Sequence, residues 1–96
     1  MSSEKESFSY PLMPEWSTQE IIDVSAFYEA VEKLNTKGVR RTDFMKAYRR
    51  FCEIEPSKAA QKQLDARFED ESGYSIYRSV QFVLENDREN LRFTRR

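Results

Sequence analysis

Apolar residues recur at helical spacing in four successive segments of this chain, and in none of them do apolar and polar residues alternate as a half-buried strand requires. The clearest segment opens at Trp16-Ser17. Ser17 is placed to cap a helix whose third residue is Glu20, and Trp16, just before the cap, is placed to pack on Ile21, so a capping box and a hydrophobic staple coincide. Ile21, Val24, Phe27, Tyr28, Val31 and Leu34 then keep the period until Gly38, a residue suited to the left-handed position after a helix end. The first helix is predicted over about Ser17 to Thr36.

Thr42 is a weaker cap for a second helix, whose broad apolar face carries Phe44, Ala47, Tyr48, Phe51 and Ile54 with Met45 and Cys52 alongside. Pro56 closes it. Ser57 caps a third helix, and the narrow stripe of Ala60, Leu64 and Phe68 predicts that it touches the core along one edge before Gly73 ends it. A fourth starts near Ser75 and sets Ile76, Tyr77, Val80, Val83, Leu84 and Leu91 on one face, a stripe that allows it to run past Asn86. Connections this short favour a compact antiparallel or irregular all-α array of about four helices, with no internal repeat. Residues 1–15 read as a flexible lead ending in an extended Tyr10 to Pro14 segment that lies against the bundle, 16–91 as one helical domain and 92–96 as a basic tail.

The chain has no histidine and a single cysteine, Cys52. Imidazole is the usual proton shuttle near neutral pH and the commonest metal ligand, so most hydrolytic, redox and metal-dependent mechanisms lose a central part, and no cofactor is expected. The residues argue against an enzyme. A chain of 96 residues makes one domain with a modest core. Its 16 Lys and Arg nearly balance 17 Asp and Glu, and a net charge of -1 gives no overall attraction to nucleic acid or anionic membrane. No apolar run approaches the roughly 20 residues of a membrane span, and the first residues lack the order of a signal peptide, so the expected location is cytoplasmic.

Trp16-Ser17, Phe27-Tyr28-Glu29-Ala30-Val31-Glu32, Gly38-Val39, Tyr48-Arg49-Arg50-Phe51, Pro56-Ser57-Lys58 and Ser72-Gly73-Tyr74-Ser75-Ile76-Tyr77-Arg78 occur in one order and spacing. Together they resemble the YktA-like small bacterial proteins, uncharacterised protein family 0223, from about Tyr10 to Val80. The resemblance implies a compact all-helical bacterial protein and carries over no functional residue. Glu55 departs from the pattern, standing before Pro56 where an apolar residue is expected.

Each candidate chemistry competes with a structural role. Cys52 lacks a neighbouring imidazole or helix N-terminus to lower its pKa, and its place beside Tyr48 and Phe51 reads as a buried structural thiol. Glu29 with Glu32, and Glu69-Asp70-Glu71, offer oxygens to a hard cation but lack a spaced acidic loop, and read as solvated faces. Two widely separated glycines exclude a glycine-rich phosphate loop. Tyr74, Tyr77 and Arg78 could hold an anion at the start of the fourth helix, although a Ser cap already uses one of its amides.

Charge is segregated along the sequence. Lys37, Arg40, Arg41, Lys46, Arg49 and Arg50 face only Asp43 in their stretch, whereas Glu15 to Glu32 holds acids and no base. Lys46, Arg49 and Arg50 form a basic strip opposite Phe44 and Phe51 that could contact phosphates, or be neutralised by the first helix; Arg92, Arg95 and Arg96 extend the charge. Phe82 and Phe93 fall on a second face if the fourth helix continues, and Ile22 is similarly off its stripe. They would pack on Tyr10 to Pro14 or against another chain, so both monomer and homodimer stay open. The resulting expectation is a non-catalytic protein-interaction module using Lys46, Arg49, Arg50, Phe82 and Phe93, the alternative being weak RNA binding through the second helix and the tail.

Overall fold

A computed structural model describes residues 10–94. Its elements are α1 (Thr18–Leu34), β1 (Val39–Arg40), α2 (Arg41–Ile54), α3 (Lys58–Ser72), α4 (Ile76–Glu85) and β2 (Asn90–Leu91). The fold is therefore all-α apart from one two-residue strand pair, antiparallel with Val39 opposite Leu91 and Arg40 opposite Asn90.

The capping box of α1 forms as its spacing predicts: Ser17 Oγ accepts from the Glu20 amide at 3.1 Å, and Glu20 Oε1 accepts from the Ser17 amide at 2.8 Å. Trp16 is buried and Ile21 packs half-buried on the core. α1 ends at Leu34. Gly38 lies beyond the following turn at φ 107°, and its amide donates to the Lys33 carbonyl. A Cβ there would come within 3.2 Å of the Leu91 carbonyl oxygen, so glycine also permits the strand pair.

α2 begins at Arg41 rather than beneath a Thr42 cap, and Arg40 at the cap position makes no side-chain capping bond. The strand pair supplies what a cap would have. Arg40 is extended by its pairing with Asn90, and the Arg41 amide donates to the Glu89 carbonyl at 2.8 Å. Ser57 caps α3 through the Ala60 amide, and only Leu64 and Phe68 of that helix are buried, in keeping with its narrow stripe. Glu55, the departure from the family pattern, is buried because its carboxylate accepts from the Ser57 amide while its carbonyl accepts from Gln61. Gly73 ends α3 in the left-handed conformation.

α4 stops at Glu85 and does not run past Asn86. Its last carbonyls are taken by other groups: Arg41 Nε donates to the carbonyls of Val83 and Asn86 at 3.3 and 2.9 Å, and Asn86 Nδ2 donates to the Phe82 carbonyl. The chain then reverses, burying Leu91 beside Val39 of β1 and joining the Phe93 amide to the Leu34 carbonyl at 2.7 Å.

Aromatic rings fill the centre. Phe27 stacks on Phe51 with centroids 4.8 Å apart, Tyr28 stacks on Phe68 at 5.0 Å, and Phe44 meets Phe27 edge-on at 5.7 Å. The Tyr10 to Pro14 segment lies against the bundle as the sequence suggests, but over Tyr28 and Phe68 rather than over Phe82 and Phe93. Tyr28 donates to the Pro11 carbonyl at 2.8 Å, and Tyr10 donates to Glu32 Oε1 at 3.0 Å. Ser79, fully buried in the core, is satisfied by Asn35 at the end of α1 and by the Ser75 carbonyl.

Candidate functional site

α3 meets the core only along one edge, and a groove of about 670 Å³ opens between α2, α3 and α4, lined on the α3 side by Lys58, Gln61, Lys62 and Asp65. Phe51, Ile76 and Val80 form its floor. Tyr77 and Leu84 line it from α4 and are 65% and 52% exposed, although the sequence pattern assigns both to the core stripe. At about 100° per residue, Val83, Ile76 and Val80 cluster on one arc while Leu84 and Tyr77 lie roughly 80–100° round from Ile76. The apolar face of α4 is wider than its packing partners cover. That width is visible in the sequence; which edge of it meets solvent is not.

The α3 wall is cationic. Lys58 and Lys62 sit one turn apart and exposed, and the next acid along, Asp65, is committed elsewhere. Its carboxylate accepts from the Ile76 amide at 2.7 Å and the Tyr77 amide at 3.2 Å, while Ser75 Oγ accepts from the Arg78 amide. The start of α4, considered above as an anion site for Tyr74, Tyr77 and Arg78, is thus occupied by the chain's own acceptors. On the α2 wall, burial pushes the Tyr48 hydroxyl above its ordinary pKa, helped by its hydrogen bond to Cys52. Cys52 is half-buried rather than fully enclosed.

The basic strip of α2 divides. Lys46 and Arg49 are exposed with no ion pair to a described residue, whereas Arg50 is tied down: Nε reaches Asp23 Oδ2 at 2.8 Å and a terminal nitrogen reaches Glu53 Oε1 at 3.3 Å. Arg50 joins α2 to α1, and its hydrogen bond holds the Asp23 carboxyl below the usual range. Phe82 and Phe93 are brought together, stacked and half-buried against the core, while Ile22 is 55% exposed on α1. Of the acids, Glu32 accepts from Tyr10 and burial raises its pKa, while Glu69, Asp70 and Glu71 are exposed. Among the described residues no three Cys, Asp or Glu side chains gather as metal ligands would, and no helix is long and apolar enough to cross a membrane.

The family model described as an uncharacterised protein family, UPF0223, matches residues 7–92. A UPF0223 protein of Bacillus mycoides is 55% identical over 74 residues, 77% of this chain and 83% of that relative. The UPF0223 protein YktA of Bacillus subtilis is 46% identical over 80 residues, 83% of this chain and 91% of its own length. A relative from Oceanobacillus iheyensis is 43% identical over 86 residues, 90% of this chain and 98% of the relative. The chain belongs to the UPF0223 family.

Proposed function

We propose that this member of the UPF0223 family is a non-catalytic cytoplasmic interaction module whose groove between α2, α3 and α4 receives an amphipathic helix of a protein partner. The observation that carries the reading is the pairing of two exposed apolar anchors, Tyr77 and Leu84, with Lys58 and Lys62 on the facing wall. Tyr77 and Leu84 are two turns apart, which matches the repeat of apolar anchors on a helix lying along the groove, and the lysines select acidic residues on one flank of that helix. Tyr77 and Leu84 are already partly covered, so burying them offsets only part of the cost of association, the lysine–acid contacts supply the remainder, and the partner is held transiently.

Titrating isotope-labelled protein with a synthetic helical peptide, leucine on one face and glutamate on the flank, tests this by amide shifts. Movement should centre on Lys58, Lys62, Tyr77 and Leu84, and Leu84→Glu should abolish it. Equal binding of a peptide with lysine in place of glutamate, or shifts confined to another face, would refute the assignment. The nucleic-acid alternative on α2 is weakened there, since Arg50 is paired with Asp23 and Glu53.

A further inference from the structure

The reversal of the chain after α4 carries Arg92 from the far end of the sequence to the side of Lys37 and Arg40. These three line a second, shallower notch of about 440 Å³ around the strand pair, with Val39, Asn90 and Leu91 completing its walls and no carboxylate among its lining side chains. The position a Cβ would take on Gly38 lies 3.7 Å from Arg92 Cβ, so any larger residue at 38 would crowd the floor of the notch. All three cations are exposed. Arg40 reaches Glu89 only at 4.0 Å, with both side chains more than half exposed, a weak pairing readily exchanged for a better acceptor. Lys37 and Arg92 have no ion pair to a described residue. In a chain of net charge -1, the notch gathers three cations from both halves of the sequence, opposed among the described residues only by the long Arg40–Glu89 contact.

We propose that the notch of Lys37, Arg40 and Arg92 binds the phosphodiester backbone of a single-stranded nucleic acid, independently of the peptide groove. Two of the three cations are guanidinium groups, whose forked donors match phosphate oxygens in pairs, and a flexible single strand can follow a concavity that a stiff duplex cannot. No aromatic side chain lines the notch to take a stacked base, so contact is with the backbone and tolerates any sequence.

Fluorescence anisotropy of the full chain with a labelled oligouridylate of about 12 nucleotides tests it. Three phosphate contacts give a salt slope of about -2, so affinity should fall roughly 20-fold between about 50 and 200 mM salt. Lys37→Gln with Arg40→Gln and Arg92→Gln should weaken binding at least about tenfold at the lower salt, whereas Lys46→Gln with Arg49→Gln should stay within about twofold of wild type. Should the triple variant fold poorly by circular dichroism, Arg92→Gln alone is decisive, with a loss of about threefold or more expected. Equal affinity for oligothymidylate supports a backbone contact. No binding at the lower salt, equal losses from the two sets of variants, or equal affinity for polyglutamate would overturn the proposal.

Discussion

The rings of Phe82 and Phe93 stack with centroids 4.8 Å apart and planes 20° from parallel, although the helix that carries Phe82 ends at Glu85. They meet because the chain doubles back through β2, so the pair closes the turn that positions Arg92. A double-mutant cycle on Phe82→Ala and Phe93→Ala should return a coupling of about 0.5–1.5 kcal/mol in denaturant unfolding, with sedimentation unchanged. Zero coupling, or a dimer that dissociates in the double variant, would place these rings at an interface between chains instead.

Arg41 ties the start of α2 to the end of α4 through the Val83 and Asn86 carbonyls. Arg41→Gln should lower stability by about 1–2 kcal/mol, since charged donors to half-buried carbonyls contribute about that much. Hydrogen exchange should speed up most at Asn86 to Leu91. Protection unchanged there would mean that the strand pair holds the reversal without the guanidinium.

Asp65 caps α4 from another helix, accepting from the Ile76 and Tyr77 amides. Asp65→Ala should cost about 1–2 kcal/mol, at least as much as loss of the local cap in Ser17→Ala, about 1 kcal/mol. It should also free the start of α4 and disturb the groove wall that carries Tyr77. An Asp65→Ala midpoint equal to wild type would show the cap to be dispensable.

Two carboxylates give stability opposite responses to acid. Burial raises the folded-state pKa of Glu32 against the pull of the Tyr10 hydrogen bond, so the folded state binds this proton more tightly than the unfolded chain. The resulting penalty is present above the folded pKa and is relieved as pH falls through it towards the unfolded value. Asp23 is held low by Arg50, so its stabilisation is present above the unfolded pKa and is lost as pH falls through the folded one. Melting curves should show Glu32→Gln gaining on wild type at neutral pH, the gap narrowing in mild acid. Arg50→Gln should lose stability at neutral pH, the difference narrowing as Asp23 is protonated. Curves parallel to wild type across the range would remove either residue from this account.

What could be read from the sequence is what neighbours in the chain decide among themselves. Ser17, Ser57 and Ser75 cap helices because an amide three residues on is within reach of each hydroxyl, and Gly73 ends α3 in the left-handed conformation that glycine adopts without strain. The period of the apolar residues likewise places Phe27, Phe51, Phe68 and Val80 in the core. The candidate sites were less legible. Leu91 falls in phase with α4, yet the helix ends at Glu85, where Arg41, distant in sequence, donates to the Val83 and Asn86 carbonyls. Thr42 is a plausible cap that a strand partner makes unnecessary. Arg50 reads as part of an exposed strip until Asp23 meets it, and Tyr77 and Leu84 read as core until α3 proves to cover one edge only. The groove, the notch and the split of the basic strip were decided by the tertiary structure, because each depends on hydrogen bonds, ion pairs or coverage between residues that only folding brings within a few ångströms, where such forces act.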